Sequence, residues 1–370
     1  MCQLAIDTAI NFDGTTGQVV GIKDEIVYEQ IQKLMAHDMS TPGVLSVEYL
    51  TSDDAASSNN IQNNSKKSMG NKLCDTVLHS IYMGTSNSSN ATRSRAQRLA
   101  AQVGAYHMGI TIDTVVQALV ALFSTTFSKT PKFVSHGGTM TEDLALQNIQ
   151  ARIRMVIAYL SAQLLPWVRG RSGFLLVLGS SNVDEALRGY MTKYDCSSAD
   201  LNPIGGISKG DLKRMLIWAS SNYDVPALKE IAEALPTAEL RPIEKNGNDD
   251  EKGHREDYSQ LDEEEMGMSY AELGIYGFLR KVQRCGPVSM FLKLLTQWPS
   301  LSPMLIAEKV KRFFYYYSVN RHKMTTLTPS YHAENYSPDD NRFDLRQFLY
   351  NTKWTRQFST IDDMGKKASV

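Results

Sequence analysis

The chain has 370 residues, 39 of them Lys or Arg and 40 Asp or Glu, for a formal net charge of −1. Apolar residues make up 42% and charged residues 21%, ordinary proportions for a globular protein that exclude a wholly disordered chain, a collagen-like chain and a coiled-coil rod. Balanced charge gives no global basic field of the kind that nucleic acid selects, and no run of 18 apolar residues offers a membrane span.

The opening stretch, MCQLAID, shows neither the basic segment nor the long apolar segment of a secretory leader, so the expected setting is cytosolic or nuclear. Cys2, Cys74, Cys196 and Cys285 are too far apart for a CxxC pair. That spacing predicts reduced thiols rather than a zinc site or a disulfide framework.

Taken in chain order, Lys23 to His37 has apolar residues at helical spacing, and Asp53 to Asn71 is a polar Ser/Asn-rich loop. An alternating pattern follows. Leu78 to Gly84 is strand-like, and the turn Ser86 to Asn90 can cap a helix over Ala91 to Val103. Tyr106 to Ile112 is a second strand and Asp113 to Phe123 a helix. Leu144 to Leu164 carries the longest helical pattern, with Arg152 and Arg154 on it. The short apolar run Phe174 to Leu178, bounded by Gly173 and Gly179, reads as a buried strand of a parallel sheet. Strands alternating with helices predict an α/β fold, an open and mostly parallel sheet with right-handed crossovers. Asn246 to Glu265 is a charged loop, and helices are expected over Ser269–Val282, Pro287–Thr296 and Ser302–Tyr317. The final 50 residues are aromatic and Pro/Asn-rich with little periodicity, and no internal repeat is present.

Open parallel sheets bind ligands where the strands end, which directs attention to the exit of Phe174–Leu178. There Gly179 allows a tight turn, Ser180 and Ser181 offer hydroxyls, and Asp184 and Glu185 open the next helix. Hydroxyl and carboxylate together suit a nucleotide with Mg²⁺, a hard cation that takes oxygen ligands. The same acids are also what a helix N-terminus favours, and both readings stand at this point. Downstream, Lys193, Asp195, Asp200 and Lys209 lie in a turn-rich segment, either lining a polar site or solvated. Lys209 falls in the first turn of a helix begun at Ser208. A cation is disfavoured there unless it holds an anion such as phosphate. His136-Gly137-Gly138 is either a plain turn or an anion-binding nest. Arg321-His322-Lys323 is a basic cluster that also reads as a solvated helix end. The chain contains no GxSxG, HExxH or Walker A pattern.

The string LVLGSSNVDEALRGYMTKYDCSSADLNPIGGISK, followed by PTAEL, DEEEMGMSYAEL and NRHK, resembles the synthetase domain of NAD synthetases of the eukaryotic glutamine-dependent type, from roughly Cys74 to Trp354. The resemblance implies an adenine-nucleotide α-hydrolase-like, Rossmann-like fold with helices on both faces of the sheet. Its NAD synthetase domain would occupy 1–325, followed by a C-terminal extension over 326–370. It implies amidation of deamido-NAD (nicotinic acid adenine dinucleotide) through an acyl-adenylate, with ATP as co-substrate, Mg²⁺ as cofactor and ammonia as nucleophile. By the same resemblance Ser180, Lys209 and Thr237 would contact ATP and Glu185 would hold the metal. Arg152, Lys193, Asp200, His322 and Lys323 would bind deamido-NAD. Asp262, Glu263 and Tyr270 fall in a matching motif with no role assigned. The family implies a cytoplasmic homo-oligomer with neither nucleic acid nor membrane as partner.

Two family parts are missing from the sequence: the glutamine-hydrolysing amidase domain and the SGG-x-DS phosphate loop. Met1 would then stand at an internal position of a longer family sequence. An alternative to NAD+ synthesis is therefore an inactive fragment or isoform that pairs with full-length subunits.

Overall fold

The computed structural model describes residues 10–12, 19–22, 24–27, 29–30, 69–242, 261–330 and 350–369. Cys2, most of the helix expected over 23–37, the polar loop up to 68 and the charged loop up to 260 lie outside the described residues. In chain order, β1 (Ile10–Phe12) pairs antiparallel with β2 (Val19–Ile22). Then come α1 (Met69–Val77), β3 (His79–Gly84), α2 (Asn90–Val103), β4 (Tyr106–Thr111), α3 (Asp113–Phe127) and α4 (Met140–Val168). They are followed by α5 (Val183–Arg188), α6 (Lys209–Asn222), α7 (Pro226–Glu233), α8 (Asp262–Met266) and α9 (Tyr270–Gly277), which runs on into a π turn at Phe278–Val282. The last helices are α10 (Pro287–Gln297), α11 (Pro303–Val319) and α12 (Thr355–Ala368).

The chain forms two compact units. The first comprises Met1–Thr111, Leu160–Leu175 and Ala219–Ile231; the second comprises Ile112–Tyr159, Leu176–Trp218 and Ala232–Val370. At the centre of the first unit β3 and β4 pair in parallel, in register from His79↔Tyr106 to Gly84↔Thr111, with α2 as the crossover. A parallel pair needs such a crossover because a short hairpin cannot reverse the chain twice. Ser89 starts α2 by accepting from the Thr92 amide at 3.1 Å, satisfying one of the free amides at a helix start. Arg169 closes the near end of the pair. It donates to the carbonyl of Asp75 at 2.6 Å and its carboxylate at 2.7 Å, and lies 4.2 Å over the Tyr106 ring.

The second unit holds the main apolar core. Leu273, Tyr276, Leu279, Met290, Phe291, Leu294, Ile306, Val310, Phe313, Phe314, Tyr317 and Ile361 are all fully buried. They come from α9, its π turn, α10, α11 and α12. Tyr276 stacks on Phe313 with ring centroids 4.7 Å apart. Each such aromatic side chain contributes several kcal/mol through burial, since Phe→Ala in a core costs about 3–5 kcal/mol. This core backs α5, which packs on α9 through Leu187.

Three expectations need correcting. The buried strand over Phe174–Leu178 does not form: Phe174, Leu176 and Leu178 are 72, 61 and 50% exposed. A single parallel bridge, Leu178 to Leu201, is all the pairing this run makes among the described residues, and a strand needs a neighbour along its length to bury its backbone groups. Secondly, the aperiodic C-terminal segment contains α12. Its apolar stripe is only Phe358, Ile361 and Met364, diluted by Ser, Thr, Asp and Gly, so packing against the core rather than pattern makes the helix. Thirdly, Arg321 is not at a solvated helix end; it is 2% exposed, with its guanidinium 4.2 Å over the Tyr317 ring.

Candidate functional site

The site lies in the second unit and is built outward from the start of α5. Asn182 caps that helix, its Oδ1 accepting from the amides of Asp184 and Glu185 at 3.0 Å each. Glu185 reaches back, its Oε2 accepting from the Asn182 amide at 3.1 Å and its Oε1 from Asn182 Nδ2 at 2.7 Å. This reciprocal capping box fixes the Glu185 carboxylate at the first turn. Gly179, whose amide donates to the Leu201 carbonyl at 2.8 Å, makes the turn before it.

A second helix start meets the first. The Lys209 amide, at the head of α6, donates to Asp184 Oδ2 at 2.9 Å. Its ammonium stands 3.8 Å from Glu185 Oε1 and 5.1 Å over the Tyr270 ring. The Tyr270 hydroxyl lies 3.2 Å from Glu185 Oε1 and 3.1 Å from Asp262 Oδ2. Tyr190 repeats the arrangement one step on, its hydroxyl 2.6 Å from Glu265 Oε2 and 3.3 Å from Asp262 Oδ1. Arg241 ends the chain of contacts, 3.5 Å from Glu265 Oε1 and 2.9 Å from Asp143 Oδ2. Burial pushes the Glu185 and Asp262 carboxyls up, opposed by the Lys209 ammonium and by their hydrogen-bond donors. Burial and the adjoining carboxylates push the Tyr190 and Tyr270 phenols up; both remain protonated donors at neutral pH. Thr237 joins this group through the backbone: it bridges Leu261, and the Asp262 amide donates to Pro236 at 3.1 Å.

Basic residues gather around the loop after α5. Arg152, on α4, donates from Nε to the Lys193 carbonyl at 3.0 Å, and Thr192 donates to Asn148 of the same helix at 2.7 Å. Lys323 donates to the carbonyls of Gly189 and Met191 at 2.9 and 2.6 Å. Burial, with Arg188 beside it, brings its ammonium down to about 8. His322 is exposed, yet partial desolvation of its ring together with Lys193 and Lys323 holds its imidazole below the usual range. Asp200 accepts from Tyr159 at 3.2 Å and from the Val177 amide at 2.8 Å.

The residues predicted from sequence thus fall into two sets. Glu185, Lys209 and Thr237 share the phenol–carboxylate network. Arg152, Lys193, His322 and Lys323 share the loop 189–193, with Asp200 held by Tyr159, two turns further along α4 from Arg152. Ser180 is exposed at the turn before Asn182. The sequence reading missed Asn182 and Tyr190. The N-x-x-E spacing of 182–185 is the signal that would have found the first; nothing local marks the second. His136-Gly137-Gly138 is a plain turn, with both glycine amides spent on the carbonyls of Val134 and Phe133. Among the described residues no cluster of three or more His, Cys, Asp or Glu is placed to cage a metal. The Glu185 carboxylate offers hard oxygens of the kind that a Mg²⁺ completing its shell with water and phosphate would take. A cavity of about 490 Å³ lies elsewhere in the unit, between α3 and the start of α4, lined by Leu119, Phe123, Lys129, Glu142 and Ile149 among others. No helix among the described residues is long and apolar enough to cross a membrane.

Comparison with known proteins gives three findings. Residues 66–285 match the family described as NAD synthase. A glutamine-dependent NAD(+) synthetase of Oryza sativa subsp. indica is 58% identical over 294 residues, 79% of this chain and 38% of that protein; one of Saccharomyces cerevisiae is 57% identical over 301 residues, 80% and 41%. The crystal structure of a glutamine-dependent NAD(+) synthetase from Cytophaga hutchinsonii superposes with a TM-score of 0.61 at 23% identity, covering 80% of this chain and 42% of that one. That likeness bears out the α/β, Rossmann-like fold. The chain spans about two fifths of the length of the curated relatives it matches.

Proposed function

The chain belongs to the NAD synthase family, and on that premise we propose that it carries the synthetase chemistry, the ATP-dependent amidation of deamido-NAD to NAD+. The observation that supports this reading is the meeting of the α5 and α6 starts, with Lys209 3.8 Å from Glu185. Two helix N-termini bring a carboxylate and an ammonium together, and helix N-termini favour phosphate oxygens.

In this reading ATP lies toward Ser180, Lys209 and Thr237. Lys209 neutralises charge on the phosphates, and Glu185 would hold Mg²⁺, which supplies Lewis-acid stabilisation of the departing pyrophosphate. Arg152, Lys193, Asp200, His322 and Lys323 receive deamido-NAD, the four basic side chains facing its anionic groups. A nicotinate carboxylate oxygen attacks the α-phosphorus of ATP and pyrophosphate leaves. The nitrogen of ammonia then attacks the acyl carbon, AMP leaves, and the nitrogen gives up one proton to form the amide. The nitrogen of this reading is ammonia derived from glutamine. The reading also takes the protein as a cytoplasmic homo-oligomer, which rests on the family alone. Nothing in the site geometry favours the alternative of an inactive pairing fragment.

The test supplies the chain with deamido-NAD, ATP, ammonium and magnesium and follows products by chromatography. NAD+, AMP and pyrophosphate should rise in equal amounts. No NAD+ above a protein-free blank sinks the reading.

A further inference from the structure

The segment 261–270 has no part in the reading above, yet it touches Glu185, Lys209 and Thr237 alike. Leu261 bridges Thr237. The Tyr270 ring lies under the Lys209 ammonium at 5.1 Å, within the range of cation–π attraction. The Tyr270 hydroxyl lies 3.2 Å from Glu185 Oε1. Asp262, 7% exposed, takes the same hydroxyl at 3.1 Å and that of Tyr190 at 3.3 Å.

Tyr270 is itself fixed from three sides. Ser269 caps α9 through a reciprocal box with Glu272, the Ser269 amide donating to Glu272 Oε2 at 3.0 Å and the Glu272 amide to Ser269 Oγ at 3.2 Å. The Tyr270 amide donates to Glu263 Oε1 at 2.8 Å. The side chain is 8% exposed. A phenol has one proton to give, and here two carboxylates, the buried Asp262 and the partly buried Glu185, compete for it. A shift of that proton toward Glu185 or toward Asp262 changes how firmly Glu185 is held, while the ring keeps Lys209 in place.

The geometry points to Tyr270 as a positioning residue for nucleotide binding. Its hydroxyl sets the Glu185 carboxylate and its ring seats the Lys209 ammonium, with Asp262 as the second acceptor that keeps the hydroxyl in line. This rests on the nucleotide reading of the site. The DEEEMGMSYAEL motif thereby acquires a purpose, since Glu263 and Ser269 hold Tyr270, and Tyr270 acts through Glu185 and Lys209.

The experiment is a double-mutant cycle on the full chain with Tyr270→Phe, Glu185→Gln and both together. The β,γ-imido analogue of ATP is titrated calorimetrically with and without magnesium chloride. Tyr270→Phe keeps the ring and should weaken binding in magnesium about tenfold, the loss expected for a hydrogen bond to a charged group. In the Glu185→Gln background the same change should cost nothing further. A residue that merely supports the fold would give losses that multiply. As a second measurement that leaves the hydroxyl and the packing intact, 3-fluorotyrosine is placed at position 270. Its ¹⁹F resonance should move when the analogue and magnesium are added to the wild-type background, and stay put in Glu185→Gln. Unchanged affinity in Tyr270→Phe, multiplying losses in the cycle, or an unmoved resonance overturns the positioning role and leaves the proposed function standing. A wild-type chain that binds no analogue overturns the nucleotide reading and the positioning role with it.

Discussion

Asn182 and Glu185 hold each other through both backbone and side chain: Asn182 donates its amide at 3.1 Å and its Nδ2 at 2.7 Å to the Glu185 carboxylate, and accepts the Glu185 amide at 3.0 Å. The carboxylate proposed to hold the metal is therefore also part of the device that starts its helix. Asn182→Ala should lower stability by about 1 kcal/mol, the usual cost of a lost cap. Synthesis of NAD+ should fall more than that loss of stability explains, because the Glu185 carboxylate loses its bond from Asn182 Nδ2 and is held only by the backbone amide, Tyr270 and Lys209. Urea titration beside steady-state assay checks this, and a fall in rate no larger than the fall in folded fraction contradicts it.

Lys323 gives a pH signature. Its ammonium is lowered from its ordinary 10.5 to about 8, chiefly by burial. Between those values the unfolded chain binds the proton and the folded chain has released it, so stability rises with pH across that window. The slope from this group is at most about 1.4 kcal/mol per pH unit. Denaturation midpoints taken from pH 7.5 to 10 should show this rise, and Lys323→Gln should flatten it. Equal slopes in the two proteins would contradict the assignment.

The two sets of site residues should separate in kinetics. Arg152→Ala removes the donor to the Lys193 carbonyl and one cation of the basic group. The KM for deamido-NAD should rise by roughly 10-fold or more, as for loss of a charge-assisted hydrogen bond, with the KM for ATP unmoved. Lys209→Ala should do the reverse. If both substrates weaken equally in both variants, the division of the site is wrong.

Gly189 ends α5 at φ +73, and a Cβ there would sit 2.2 Å from the Cβ of Asn320. Asn320 in turn donates to the Arg188 carbonyl at 3.2 Å. Gly189→Ala combines left-handed strain with overpacking and should cost roughly 2–4 kcal/mol. A thermal midpoint equal to wild type would count against the tight contact.

Ile361, fully buried in the core, tests α12. Ile361→Ala should cost about 2–5 kcal/mol, read by calorimetry. A loss under about 1 kcal/mol, well below that range, would mean that this helix does not belong to the core.

The α/β alternation from Leu78 to Phe123 was legible because each element carries its own signal: β-rich runs, a Ser/Asn cap and an apolar helix repeat. Helices α9 to α11 were legible for the same reason, each beginning at a Ser or Pro and carrying a broad apolar face. The run 174–178 misled because strand-like composition says nothing of whether a neighbour is present to pair with it. Helix α12 was hidden because three apolar residues suffice when a core is waiting for them. In the site, the turn after residue 178 and the helix start at Ser208 drew attention to Glu185 and Lys209, and the family resemblance supplied their expected roles. It did not show Tyr190 lying between Asp262 and Glu265, a contact made across more than 70 residues of sequence and determined by packing alone.

The two tyrosines stitch residues 182–190 to 262–270, so neither stretch is a self-contained cassette. Loop grafting between relatives, or recombination that breaks the gene between them, has to move both as a set. Exchanging one alone strands an interior acid without its phenol, and the hybrid inherits a misfit at the centre of its working parts.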